Sequence, residues 1–416
     1  MRIAVVGSGI SGLVAAYQLQ RQAEVSVFEA NDYVGGHTHT VSVNDESGTH
    51  AVDTGFIVYN EWTYPNFVRL LDQLGVKTQA SDMSFALSDP QSGFAYAAPE
   101  TRGLFAHKRN LVSPSFYRML WDIVRFSKHG PQFLQDCARD VPLSTFFEDG
   151  RYSQAFLDRY LVPMISAIWS AGCETVADLP AGYFLHFFQN HGLMSLTGRP
   201  QWRVIAGGSQ NYIAPLTKGY AERLYTASPV LRIRRFEDHV SLTMPNEEEL
   251  RFDHVVLAVH SDQALRLLAD ASDSEREILS AIPYQPNAVT LHTDTTILPK
   301  NRDTWASWNY RMTGEEGNRA CLTYHMNRLQ SLDSRRDYLV SLNQDDAIET
   351  GQQLGNFVYS HPAYSAASVA AQQRHGEISG VNRTHYCGAY WGYGFHEDGV
   401  KSALDACAWF DAGVLV

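Results

Sequence analysis

Residues 3–20 read IAVVGSGISGLVAAYQLQ: a short β-branched run, a glycine turn, then a helical repeat of Leu13, Ala16, Tyr17 and Leu19. Gly7, Gly9 and Gly12 form G-x-G-x-x-G between the strand and the helix. The first glycine permits the tight turn, the second lets the backbone approach a pyrophosphate, and the third lets the helix pack close to the strand. The helix start then offers free N–H groups and a positive dipole end to phosphates. Residues 24–30, EVSVFEA, read as a second strand and complete a βαβ unit of about 30 residues. Glu29 at its end is placed to accept hydrogen bonds from a ribose diol, and its charge would repel a 2′-phosphate. The stretch predicts a dinucleotide site, and one that disfavours NADP.

Outside this unit the chain has 416 residues, enough for two or three domains, with an ordinary globular balance of 44% hydrophobic and 19% charged residues. Aromatics reach 12%, which suits a protein that encloses a flat or apolar ligand and equally suits a large core. A net charge of −12 and a pI near 5.7 argue against a nucleic-acid partner, which needs a basic footprint. The five cysteines, Cys137, Cys173, Cys321, Cys387 and Cys407, form no C-x-x-C pair and read as reduced thiols of a cytoplasmic protein. No leader pattern precedes the first strand, and no run reaches the 18 or so apolar residues of a spanning helix.

Further along, WTYPNFVRLLDQLGV (62–76) predicts a helix with Phe67, Leu70, Leu71 and Leu74 on one face, and SFALSDPQSGFAYA (84–97) a hairpin turning at Asp89–Gly93. Residues 100–200 are helical and aromatic, with Pro163 predicted to kink one helix. Strand character returns at 228–260, residues 270–380 resist segmentation, and the chain ends in a glycine-punctuated loop running into a helix.

Six residues past Glu29 come Gly35 and Gly36, in GGHTHT (35–40), which a plain NAD-binding unit does not require. Here the sequence resembles the FAD-dependent amine-oxidase-like superfamily, which includes protoporphyrinogen oxidase, phytoene desaturase and monoamine oxidase. In that superfamily a "GGR"-type motif follows the acidic residue, beside the FAD pyrophosphate. DTGFIVYN (53–60) resembles the family's flavin-side loop, GGSQNYIAPL (207–216) its central Gly-Gly segment, and GFHEDGVKSALDA (394–406) its C-terminal segment, where a helix start faces the flavin. Val230 resembles the valine whose backbone holds the adenine. The nearest resemblance, nearly end to end, is to bacterial FAD-binding oxidoreductases associated with cyclopropane or methyl-branched fatty-acyl lipid metabolism.

The resemblance implies an α/β fold: a Rossmann-type, GR2-like FAD-binding domain over 1–82, 201–268 and 381–416, with an interleaved α+β substrate domain over 83–200 and 269–380. It implies non-covalent FAD held by Gly7, Gly9, Ser11, Gly12, Glu29, Gly35, Gly36, His37, Thr54, Gly55, Phe56, Val230, Asp398, Gly399 and Val400. His37 stands where the superfamily usually has arginine, so a titratable donor replaces a permanent charge. A helix start near Gly399 would also stabilise the negative charge of a reduced flavin. With no second G-x-G-x-x-G there is no separate NADH domain, and the electron acceptor, O2, a quinone or another carrier, is left open.

His37 and His39 would share one face of a strand and invite a metal, with His50 and Asp53 as further ligands, but the flavin reading already accounts for the glycines and no metal is expected. Candidate catalytic groups are His396, Tyr59 and Trp391, with His191 a weaker one. The expected reaction is hydride abstraction from a C–H bond of a lipophilic substrate by a fatty-acyl or lipid desaturase or dehydrogenase. The alternatives are a flavin amine oxidase and a non-redox flavoenzyme of the UDP-galactopyranose mutase type, for which Arg159, Arg199 and Arg203 would have to line a pocket. Residues 101–130 carry six Lys/Arg against one acid, and Phe116, Met119, Leu120 and Ile123 share a helix face. That pattern predicts peripheral contact with the inner face of a membrane.

Overall fold

The computed structural model describes residues 1–136, 141–170, 173–312 and 320–413. Its first strand, β1 (Arg2–Val6), leads through the glycine turn into α1 (Ile10–Leu19) and returns as β2 (Glu24–Phe28). The two strands pair in parallel, Val5 opposite Val27. They sit inside a five-stranded parallel sheet ordered Leu224–Tyr225, β2, β1, His254–Leu257, Thr384–Tyr386. Both faces of the sheet are covered, which is why its strands read as continuous apolar runs. Ile3 and Val5 pack with α1 and the C-terminal helix His396–Gly413, while Ala4 and Val6 pack with Ile233, Val240 and Leu242 of a three-stranded antiparallel layer. One sheet therefore draws on residues near 5, 225, 255 and 385.

A second, seven-stranded sheet is ordered Gln353–Pro362, Tyr284–His292, Leu339–Leu342, Leu322–His325, Trp308–Arg311, Phe85–Asp89, Phe94–Ala98. All its pairings are antiparallel except that of Trp308–Arg311 with Phe85–Asp89. The hairpin predicted over 84–97, observed as Phe85–Asp89 and Phe94–Ala98, is thus the end of a sheet whose other five strands come from the stretch that resisted segmentation. Against this sheet lies a helical layer with a ring-rich core that includes Phe116, Phe126, Phe146, Phe156 and Phe184. Much of the aromatic excess is here.

Pro163, predicted to kink a helix, lies in the first turn of Val162–Trp169, directly after a π-helical turn at Leu157–Leu161. One expectation changes. Phe116 and Met119, expected to face a membrane, are buried in the helical layer's own core, with Leu120 and Ile123 packed partly against it. Cys321, Cys387 and Cys407 are buried. Cys137 and the side chain of Cys173 lie outside what is described. No described helix is long and apolar enough to cross a membrane.

Candidate active site

A cleft of about 680 Å3 opens where the glycine turn, the loop after β2, the 53–60 segment and the seven-stranded sheet meet. Gly7, Gly9, Ser11, Glu29, Gly35, Gly36, His37, Thr54, Gly55, Phe56, Val230 and His396 all line it. Residues more than 200 positions apart thus reach one surface because their strands are neighbours in one parallel sheet.

At the nucleotide end, Glu29 is held by Ser8, whose N–H and hydroxyl donate to one carboxylate oxygen at 2.9 and 2.6 Å, and by the Asn31 N–H at 2.9 Å on the other. Gly7 has φ +100°, and a Cβ there would meet the Ala258 carbonyl oxygen at 2.7 Å. Gly12 is a packing residue, as predicted from the motif: its Cβ would stand 2.0 Å from the Gly7 carbonyl oxygen. Gly9 differs, since a Cβ there has no neighbour within 4 Å and would project into the cleft. That open cradle at the start of α1 is what a pyrophosphate needs. Gly36, at φ +58°, lies against it, its added Cβ 3.1 Å from the Gly9 Cα.

His37 is half-buried, its ring bonded to the Ser360 backbone and its Nε2 buried without a partner. Burial holds its pKa below the ordinary histidine value. An orphaned imidazole nitrogen beside a phosphate cradle is the fit expected of a donor that completes its bond on an anion. His260 and His361 lie 6.0 and 5.6 Å from it, ring to ring, and burial lowers each of them to about 3.

His396 begins the C-terminal helix and stacks on Phe56 at 3.4 Å. Its Nε2 is 3.1 Å from the Thr38 hydroxyl, which is itself 2.5 Å from the Tyr212 hydroxyl. Burial keeps the imidazole neutral, well below the ordinary value. Asp398, Gly399 and Val400 do not themselves line the cleft. Gly399 packs the helix onto the first turn of α1, where a Cβ would meet Ile10 and Ser11 at 2.8 and 2.9 Å. Asp398 accepts the Phe395 N–H at 3.0 Å, and burial raises its carboxyl to about 7.

Tyr59 and Trp391 are not cleft residues. Tyr59 is sealed between Tyr64 and Phe67, because its strand turns that side chain toward the core under α1. Trp391 packs on His375 and Tyr390. His191 bonds the Phe187 carbonyl at 2.9 Å and stacks on its ring, away from the cleft. The side chains that a metal would have needed diverge: His39 meets Tyr359 at 2.8 Å, His50 meets Asp45 at 3.1 Å, and Asp53 accepts from Ser209. Among the described residues no three His, Cys, Asp or Glu side chains are grouped to hold an ion.

The sequence reading named Asp53 only as a possible metal ligand and missed its role as a tie between two motifs. Buried, it accepts from the Ser209 N–H and hydroxyl, both at 2.8 Å, from Thr40 at 2.5 Å and from Gln330 at 2.9 Å. It ties the 53–60 loop to the Gly-Gly segment, and burial raises it to about 6. The only signal was that both motifs occur in one chain.

Residues 10–337 match the family model of flavin containing amine oxidoreductases. The chain belongs to this family. FAD is accordingly its cofactor, and no cysteine lines the cleft among the described residues. Curated relatives of this chain include the flavin-containing amine oxidase of Oncorhynchus mykiss, 27% identical over 62% of this chain and 49% of its own length. Another is coproporphyrinogen III oxidase of Propionibacterium freudenreichii, 29% identical over 42% and 33%. The chain spans about half the length of the amine oxidases it matches. Solved structures share the fold: cyclohexylamine oxidase from Brevibacterium oxydans, at TM-score 0.71, 16% identity and coverage of 100% and 99%, and a fatty acid isomerase from P. acnes, at 0.71, 17% and 97% of each chain.

Proposed function

We propose that this protein is an FAD-dependent oxidoreductase that takes hydride from a C–H bond of a lipophilic substrate, a fatty-acyl or other lipid chain before any other. Bound FAD supplies the two-electron acceptor. The chain's residues supply position, dryness and a fixed field. His37 and the Gly9 cradle hold the phosphates, Glu29 the ribose, and the start of the C-terminal helix aims its positive dipole end at the site.

One observation carries the substrate class. Beyond the nucleotide end the cleft is walled by Val289, Trp308, Tyr324, Leu342 and Tyr364, and Glu29 is the only carboxylate lining it among the described residues. No counter-ion awaits an ammonium group, and burying an unpaired charge there would be costly. The Trp308 indole N–H and the Tyr364 hydroxyl are both buried without a partner, so this otherwise apolar wall offers two donors to an acceptor oxygen of the substrate. The fold's use by a fatty acid isomerase accords with such a pocket.

An amine is the second reading, favoured by the family and by Tyr364 and Tyr393 lining the cleft, with Tyr183 packed behind them at 5.4 and 4.6 Å. It would enter as the free base. The mutase-type reading lacks its pocket: Arg159 lies over Phe94, Arg199 bonds the Ser195 carbonyl, and Arg203 bonds Thr78. Anaerobic mixing of the holoprotein with acyl lipids and with amines tests the proposal. Flavin bleaching by lipids, with a two-hydrogen loss in the acyl product, supports it; bleaching by amines alone overturns it.

A further inference from the structure

The basic segment keeps one face that its own domain does not use. Helix Pro114–Asp136 buries Phe116, Met119 and Phe126, so its packing is complete without help from the opposite side. On that side and on the preceding turn, Lys108–Val112, four large apolar side chains face solvent: Val112 is 80% exposed, Trp121 60%, Leu111 52% and Tyr117 47%. Tyr117 and Trp121 are one helical turn apart, and the Tyr117 hydroxyl donates to the Leu111 carbonyl at 3.1 Å, which joins the turn to the helix as one tip.

Within residues 101–130 the exposed charges are of one sign, Arg102 being paired with Asp303 from outside the segment. Lys108, Arg109 and Lys128 are exposed and have no carboxylate partner among the described residues. The one acid between 101 and 130, Asp122, is buried and accepts from Arg118 at 3.2 Å and Arg125 at 2.7 Å, so no carboxylate of the segment faces outward. Elsewhere the protein is acidic, with a net charge of −12. An exposed Leu-Val tip flanked by Tyr and Trp and ringed by cations matches the layering of an anionic bilayer surface: hydrocarbon, then interface, then phosphate.

We propose that residues 108–121 dock this protein on an anionic membrane, with Leu111 and Val112 entering the acyl region, Tyr117 and Trp121 at the interface, and Lys108, Arg109 and Arg118 on the phosphates. The contact is peripheral, since no described helix can span. It is independent of the substrate reading: a protein that docks yet is bleached only by amines keeps this surface and loses that substrate.

The test is co-sedimentation of the holoprotein with vesicles of phosphatidylcholine alone and of phosphatidylcholine and phosphatidylglycerol in equal parts. Binding to the mixed vesicles, weakened by salt and by removal of the anionic lipid, is the expected result. Leu111→Asp with Val112→Asp should abolish it, and Lys108→Gln with Arg109→Gln should weaken it about 25-fold, about 5-fold per cation near the surface. All four positions are exposed, so flavin absorbance and the thermal midpoint serve as folding controls. Quenching by brominated lipid should be largely lost in Trp121→Phe. Absence of vesicle binding, binding unaffected by these variants, or an unchanged vesicle profile alongside dimers that Trp121→Glu disperses would each overturn the proposal.

Discussion

The hydroxyl of Thr38 lies 3.1 Å from Nε2 of His396, joining the turn after β2 to the first residue of the C-terminal helix. The same oxygen meets the Tyr212 hydroxyl at 2.5 Å, so one buried threonine connects three segments that line or support the cleft. Thr38→Val keeps the shape and leaves Tyr212 and His396 only their long mutual contact at 3.4 Å. The variant should lose about 1–3 kcal/mol, the cost of leaving a buried polar group unpaired, in denaturant unfolding of the apoprotein. An unchanged midpoint would show the network to be incidental.

Gly9 and Gly12 should fail in different ways. Gly9 has ordinary extended backbone, φ −67° and ψ 176°, and open space where a methyl would go. Gly9→Ala should therefore fold normally and bind FAD about 100-fold more weakly, equivalent to about 2.7 kcal/mol of lost charge-assisted contact. Gly12→Ala must displace the Gly7 backbone and should lower stability by about 1–3 kcal/mol even without FAD. Titration with FAD and thermal melts of both apoproteins separate the two.

For His37, whose Nε2 lacks a partner, replacement by alanine should weaken FAD binding about 10-fold, the worth of one hydrogen bond to an anion. Replacement by arginine should restore most of the loss. Equal affinity in the wild type and His37→Ala would leave the histidine a packing residue only.

Acid should destabilise the apoprotein through its cleft. His37, His260, His361 and His396 all have pKa values lowered by burial, so the unfolded chain takes up protons that the folded chain refuses. Stability present above the ordinary value of 6.5 is lost as pH falls below it, at about 1.4 kcal/mol per pH unit for each histidine kept neutral. Denaturant midpoints measured from neutral to mildly acidic pH should fall with a slope of more than one proton. His260→Gln and His361→Gln should flatten it.

At Trp308, a phenylalanine keeps the wall and removes one of its two unpartnered donors. The substrate KM should rise about 10-fold while the flavin spectrum and FAD affinity stay unchanged, a split that a purely structural role would not produce.

The glycine motif, Glu29 and the helix after the turn were legible because each is a local requirement: a tight turn, an acceptor at a strand end, a helix repeat. The hairpin at 85–98 was legible for the same reason. The five strands beyond residue 280 were not, since their identity depends on partners drawn from either side of them in the chain. Tyr59 and Trp391 were misplaced because an aromatic ring beside a cavity and one inside a core have the same local sequence. The amphipathic helix deceived in a similar way: periodicity located its apolar face, and only packing revealed that this face was already covered.

Taken alone, then, the sequence determined a βαβ unit with a glycine-rich turn and the family to which the flavin motifs point. Tertiary structure decided what those motifs do together. It paired Asp53 with Ser209, set His396 on Phe56, left the Nε2 of His37 waiting for a partner, and turned Trp121 outward. Local rules act over a few residues, whereas burial, which sets pKa, exposure and unsatisfied hydrogen bonds, is fixed only when distant segments close around a side chain.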